Sequence, residues 1–500
     1  MATLGIELCD AAFHAATCHE QELHPLPIPE AGSHGDWAAF ACYDGDRFLF
    51  GRPAEDEWFV HPRRVNHSFW ARLAHEPSPI GPAGRPAAYS ELAYHFLRDF
   101  SQRIAAGTAA GRIVLAVPGA YLKDTATEEE RIGLLLGMAG DLRLSLAGIV
   151  DLAGAALCNP RAPGFNAALP VVVVDLHLEG ADLTLLGTDE RLERKDFIHL
   201  PQSGHAQLLK HLTGTLGNRF LRHTAFDILE DGRIEQSFYR QTKNFLLSGA
   251  PEHRFQINTS NRTYEMLAKR EQLVADAQAF VATLVQGLQT FLRNSPHAAE
   301  PCTVALTDRA AGLPGLEARL HSAGFHRLLR LPPGAAAGGA ARLGESTLTI
   351  AADLAEVPVV VSFPLALARR QTAPWEARLQ KLRLPGPPRP APTHLIFEGV
   401  GYPLDPERGL TIGLAGTGAD LVLPDAFTAA SDCTIPLEPL DGHFWFVDLT
   451  VQRTHGVTAT APPARTVIDS GDRLTIRCGA AAVELVFAYC GTGARSRPPR

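Results

Sequence analysis

The chain contains no CxxC pair, no long basic run and no apolar stretch approaching the length of a membrane span, about 18 residues. Its eight cysteines, at 9, 18, 42, 158, 302, 433, 478 and 490, are scattered. That scatter argues for reduced thiols and against both a zinc ribbon and a disulfide framework. A formal net charge of −8 disfavours a broad nucleic-acid surface, because phosphate binding calls for clustered Lys and Arg. The opening MATLGIELCD lacks the basic-then-apolar order of a secretory signal, so neither membrane nor export is expected and the chain reads as cytoplasmic. No GxSxG elbow exists to anchor a hydrolase triad. What is present is ordinary globular composition, 46% hydrophobic and 20% charged, in 500 residues. That length suggests roughly three domain-sized units.

The most informative stretch is LPVVVVDLHLEGADLTLLGTD at 169–189. Four consecutive valines favour a strand buried on both faces. The turn at 177–180 is short enough for a hairpin, and a second apolar strand returns at 181–186. Residues 3–8 and 11–17 repeat this strand–turn–strand plan around Cys9-Asp10. Further strands are expected at 47–51, 113–117, 255–258, 303–307 and 357–363, with β-character at 347–350. Helical spacing marks 89–104, 127–138, 206–220, 234–247, 263–292 and 314–323, and a helical end is expected for 61–77. Asp151 precedes the small-residue helix AGAAL, and the Ala/Gly-rich 334–344 is expected to pack as a tight helix. Five prolines in 382–395 make an extended spacer and the main domain boundary. Beyond it, short strands between Gly, Pro and Asp turns read as an all-β sandwich of roughly 100 residues.

In order and spacing, the first part of the chain resembles the nucleotide-binding domain of the seventy-kilodalton heat-shock chaperones, within the actin-like ATPases. LGIELCDAAFHAAT is similar to the first phosphate motif IDLGTT, and the strand–VP–helix segment running into DLAGAAL is similar to the connecting NEPTAAAL region. VVVVDLHLEGADLTLL resembles DLGGGTFDVSVL, VALTDRAAGLPGLEARL resembles the adenosine motif, and QTKNFLLSG resembles the AKxxLS segment. The resemblance implies a two-lobed actin-like fold over 1–365, with lobe I at about 1–168 and lobe II at about 169–365. A helical insert is implied at about 222–300, followed by a Pro-rich linker at 366–393.

In that family, glycine-rich turns bring backbone N–H groups onto the phosphates. Here the turns offer Cys9, Asp10 and Ala11, then His177, Leu178, Glu179 and Gly180, while Thr307 and Asp308 replace the adenosine-motif glycines. Phe69-Trp70-Ala71-Arg72 stands where the lysine-bearing helix belongs. Side chains would fill the phosphate space, and Asp10 and Glu179 would repel a polyanion. Three acids at matching positions, Glu7, Asp151 and Asp175, would be the residual catalytic set if the chain hydrolysed ATP with Mg.

Residues 394–490 resemble a forkhead-associated (FHA) sandwich, followed by a tail expected to be disordered at 491–500. Gly413, Leu421, Pro424-Asp425, Trp445, Asp448-Leu449, Gly456 and Gly471-Asp472 match its pattern. The phosphate-reading arginine is Leu414, the reading Ser and His fall near Ala429 and Asp432, and the asparagine is His455. Leu414, Thr428, Ser431, Arg453 and His455 are the candidate partner-binding positions, favouring a phospho-independent module.

His14, Cys18, His19 and His24 are ligand types within eleven residues, but without HxxxH regularity they read as a His-rich hairpin, and no metal is expected. Ser203-Gly204-His205 reads as a helix entry. The expected function is a catalytically degenerate chaperone-like scaffold or adaptor, a pseudo-ATPase without cofactor, binding protein partners. The alternative is a divergent ATP-binding switch with slow ATPase activity and a phosphopeptide-binding FHA module.

Overall fold

The structure, a computed structural model, describes the chain except residues 1, 29–36, 83, 106–110, 163–164, 166–168, 189, 298–301, 352, 369–375, 383–388, 407–408, 414–418, 424–434, 441–442, 448–464, 479–480 and 491–500. The chain forms two compact units, 1–162 with 167–369, and 163–166 with 370–500. The first is mixed α/β and the second is built from largely antiparallel sheets. Among the described residues no helix is long and apolar enough to cross a membrane.

The first unit holds two six-stranded sheets of matching plan. In one, Thr3–Glu7 pairs antiparallel with His14–His19, which pairs with Glu22–Pro25. On its other side Thr3–Glu7 pairs parallel with Arg112–Val117, and that strand with Leu146–Asp151. The second sheet repeats this order: Arg191–Leu200, Ala181–Gly187, Val171–Leu176, Thr303–Leu306 and Leu328–Arg330. Val359–Val360 then joins the edge of the first sheet and Ser362–Pro364 the edge of the second, so the chain crosses between them at Val361. The valine run behaves as its composition requires: Val171–Leu176 is buried at every position.

Small residues let the sheets share their helices. Helix Ala335–Ser346 packs on the first strand, where a Cβ at Gly5 would lie 2.0 Å from the Ala337 carbonyl oxygen. A Cβ at Gly339 would lie 1.7 Å from the Ala155 oxygen of helix Leu152–Leu157. Separate cores flank the two sheets. One is rich in aromatics, including Phe13, Trp70, Phe96 and Phe100; the other gathers Phe220, Phe238 and Phe255.

Three local expectations differ from the fold. Thr263–Lys269 is a strand paired with Glu252–Asn258, and the helix begins only at Arg270. Its Met266 and Ala268 alternate with exposed neighbours, a period of two that the helical stripe downstream overrode. Residues 61–77 form the 3-10 turn Pro62–Arg64 and the short strand Val65–Asn66 but no helix towards their end; Phe69, Trp70 and Leu73 enter the core from turns and irregular backbone. Residues 347–350 form no strand.

In the second unit, one sheet runs Glu376–Gln380, Arg473–Cys478, Ala481–Ala488, His394–Phe397 and Val400–Pro403. The other runs Leu421–Val422, Leu410–Gly413, Ile435–Leu440, His443–Val447 and Arg465–Ile468, its first pair parallel. Leu395, Ile412, Leu437, Ile468, Ile476 and Phe487 lie in its core. Strand Glu376–Gln380 falls inside the stretch expected as spacer, as do Lys381 and Arg389, which donate to Asp472 at 2.7 and 2.9 Å. Asp472 also accepts from the backbone N–H groups of Leu382 and Asp469. Burial alone would raise its pKa, but these donors outweigh burial and hold it below the ordinary carboxylate value.

Two outcomes follow from this packing. Gly339→Ala should destabilise the first unit by about 1–3 kcal/mol in denaturant unfolding. Gly214→Ala, in a helix where a Cβ meets nothing within 4 Å, should be neutral or stabilising by up to about 1 kcal/mol. Asp472 contributes stability above its unfolded pKa of about 3.9, and that contribution fades as pH falls through its depressed folded value. Asp472→Asn should therefore weaken the second unit at neutral pH, and the gap from wild type should narrow progressively below about pH 4.

Candidate functional site

The structure brings Glu7, Asp175 and the two hairpin turns together at the strand ends where the first unit's sheets meet, with Arg309 between them. Glu7 ends the strand Thr3–Glu7, and Asp175 is the penultimate residue of Val171–Leu176. Arg309, in the short helix Asp308–Ala311, is buried against both. Its Nη2 donates to Glu7 Oε1 at 2.9 Å and to Asp175 Oδ1 at 3.0 Å, and its Nε donates to the Leu176 carbonyl at 3.2 Å. Its Nη1 lies 3.4 Å from Asp308. Burial opposes a charge on Arg309, but Cys9, Asp308, Asp175 and Glu7 raise its pKa well above the ordinary arginine value. Burial likewise works against an ionised Asp175, yet the pull of Arg309 and His177 keeps its pKa low. The pair of carboxylates has an internal cation.

His177 fills the second turn. Its Nδ1 lies 3.4 Å from Cys9 Sγ and 3.4 Å from Asp10 Oδ1, and its Nε2 lies 3.3 Å from both Asp175 Oδ2 and Asp182 Oδ2. Burial lowers the pKa of such an imidazole, but Cys9, Asp182, Asp175 and Asp10 together raise it well above the usual histidine value. Burial pushes the Cys9 thiol up, more than Arg309 and His177 pull it down. Asp182 also accepts from His199 at 2.7 Å. Its pKa is low because His177 and His199 overcome burial.

The remaining sequence candidates have internal partners too. Asp10 Oδ1 accepts the Leu178 backbone N–H at 2.8 Å, and Glu179 pairs with His67 at 2.6 Å. These two acids, expected to face open phosphate space, are instead bonded within the chain. The His177 N–H donates to Gly180 O, while the amides of His205 and Ala206, opening the next helix, donate to the carbonyls of His177 and Leu178. A helix N-terminus that could receive an anion is thus bonded to the turn itself. Ala11 is buried, and a Cβ at Gly180 would fall 2.5 Å from His199. Thr307 donates to Val174 O, and Asp308 is partly exposed.

Asp151, close enough to Asp182 to feel its charge, has partners of its own. It caps helix Leu152–Leu157 by accepting from Gly154 N at 3.0 Å and pairs with Arg194 at 3.3 Å. Burial raises its pKa against the pull of Arg194. In the cavity lined by Ala12, Phe40, Trp58, Tyr239, Lys243 and Arg309, a second polar cluster joins the two halves of the unit. Glu55 accepts from Lys243 at 2.7 and 2.9 Å and from Tyr239 at 2.5 Å. Gln236 donates to Glu55 O and accepts from Phe59 N, and Arg240 pairs with Asp56.

The His-rich hairpin does not converge: Thr17 pairs with His24 and Cys18 with Leu23, and His19 and His24 are exposed while His14 and Cys18 are buried. Leu414, Thr428, Ser431, Arg453 and His455 lie outside the described residues. Arg309, Arg194, Asp182, His199, His67 and the Glu55 cluster were not foreseen. The available signal for Arg309 was its place, directly after the Thr307-Asp308 pair and at the end of a fully buried strand. No protein-family model matches the chain, and no curated protein matches it. The chemistry of the site must therefore be read from its own groups.

Those groups close the strand ends through internal pairs. Removing Arg309 would leave two buried carboxylates without their cation, a change that costs about 3–5 kcal/mol. Arg309→Met should lower stability by that order in urea unfolding. Arg240→Met, which breaks an exposed pair at the Glu55 cluster, should change it by less than about 1 kcal/mol.

Proposed function

We propose that this chain is a catalytically degenerate, chaperone-like scaffold. Its first unit is an actin-like ATPase fold that has kept its shape without its phosphate chemistry, and its second is an FHA-like interaction module. The fold reading is supported by the repeated five-strand order of the two sheets and by the small-residue helices they exchange. The functional reading rests on one observation: the Arg309 guanidinium bonds to both Glu7 and Asp175. In an ATPase of this kind such acids position metal-bound and attacking water. Here an arginine supplies the countercharge.

The donors at the turns are engaged within the chain as well, so a phosphate would have to displace protein partners to gain its own. A scaffold needs none of this chemistry. It needs a fixed relation between the two sheets, and the Glu55 cluster supplies direct bonds for that purpose. Its partners are proteins, held by the first unit's surface and by the sandwich. For the sandwich we favour recognition independent of phosphorylation, because Leu414 and His455 replace the phosphate-reading residues.

The second reading, a nucleotide-binding switch with slow ATPase activity, is favoured by a cavity of about 190 Å³ lined by Trp58, Tyr239, Lys243 and Asp308. Titration separates the two. Thermal unfolding of the full chain should be unchanged by millimolar Mg-ATP or ADP. A ligand present at a thousand times its Kd would add about 4 kcal/mol of apparent stability, and such a shift would sink the scaffold reading in its strict form. Matched arrays of phosphorylated and unmodified peptides should show equal binding; strong phosphothreonine dependence would reverse the assignment of the second unit.

A further inference from the structure

The cluster around His177 has a feature that closure alone does not explain. Four buried carboxylates, Glu7, Asp10, Asp175 and Asp182, converge on Arg309 and His177. Asp175 Oδ2 and His177 Nε2 are both buried, and neither makes a hydrogen bond. Next to them lies a thiol, Cys9, with no exposed surface. Buried polar atoms in this condition are rare and call for a partner.

We propose that Cys9, His177 and Asp175 form a zinc site that joins the two halves of the first unit. One ligand atom from each of the three residues lies within 4.8 Å of the others, the only such group among the described residues. A tetrahedral zinc ion with bonds of about 2.0–2.3 Å has ligand-to-ligand edges of about 3.3–3.8 Å. The 3.4 Å separation of Cys9 Sγ and His177 Nδ1 already matches such an edge. Asp10 Oδ1, 3.4 Å from the same nitrogen, is placed to take the fourth position.

The outer contacts fit a metal as well. Arg309 holds Asp175 through Oδ1 and leaves Oδ2 for the ion, while Asp182 stands 3.3 Å from His177 Nε2, where it can accept that nitrogen's proton and fix the ring. Thiolate, imidazole and carboxylate suit zinc; magnesium and calcium call for oxygen cages. Binding releases the thiol proton and the proton of the coordinating nitrogen to solvent, with no change of oxidation state. Cys9 follows the strand Thr3–Glu7 of the first sheet, whereas Asp175 and His177 belong to the hairpin of the second. An ion here would therefore fasten the sheets at their strand ends. The inference does not depend on the scaffold reading, since a nucleotide-binding chain could carry the same ion.

The test uses the full chain, stripped with chelator and titrated with zinc and with cobalt(II). One equivalent of zinc should bind per chain, and cobalt should give a near-ultraviolet thiolate charge-transfer band with visible tetrahedral bands. Cys9→Ser should abolish the charge-transfer band, and Asp175→Asn should raise the apparent Kd for zinc at least about tenfold. Cys490→Ser, at an exposed thiol, should leave both unchanged. X-ray absorption on the zinc-loaded wild type should show one sulfur and at least one imidazole nitrogen, which keeps the test independent of whether a variant folds. A zinc shell without sulfur, a cobalt band that survives Cys9→Ser, or no stoichiometric uptake by the folded wild type would each overturn the site.

Discussion

A guanidinium buried between two carboxylates is the constraint on which the rest of this structure turns. Arg309 reaches Glu7 of one sheet and Asp175 of the other, so a single side chain offsets charge on both and links the strand ends. Without it, two carboxylates would be desolvated side by side, an arrangement that low-dielectric surroundings penalise heavily. The neighbouring turns follow the same logic. Asp10 accepts a backbone N–H from the opposite turn, Glu179 pairs with His67, and His177 lies among three carboxylates. Each of these acids has a partner inside the chain.

Pairing of this kind changes what the fold is able to do. An enzyme that grips a polyanion keeps its donors poised for the ligand, whereas here the Leu178 N–H is bonded to Asp10 and the Arg309 Nη2 to Glu7 and Asp175. The joined halves have a second line of contact at Glu55, Tyr239 and Lys243, which line the same cavity as Arg309. Direct bonds at Glu55 as well as at Arg309 tie the two halves of the unit at two places. That is the property the proposed scaffold reading calls for.

The legible and illegible parts of the sequence divide along the range of the interactions. The valine run, its hairpin and the small-residue helix 335–346 could be read locally, because β-branching, alternation and Ala/Gly packing act between near neighbours. Thr263–Lys269 was misread since its short alternating pattern abuts a helix of 25 residues with a strong apolar stripe. The acids Glu7, Asp151 and Asp175 were legible as strand-end residues. Their cations were not: Arg309 meets Glu7 across 302 positions and Asp175 across 134, distances over which no local pattern speaks. Cys9 and His177 were legible only as residues that replace glycine; their meeting across 168 positions needed the fold.

The most direct test of the central constraint is a double-mutant cycle on Arg309 and Asp175. Unfolding free energies would be compared for wild type, Arg309→Met, Asp175→Asn and the double variant. If the guanidinium is the cation that makes the buried carboxylate tolerable, the double variant will be more stable than the sum of the single losses predicts, by at least about 1 kcal/mol. Losses that simply add, within about 0.5 kcal/mol, would mean that the two groups act independently and would contradict the account.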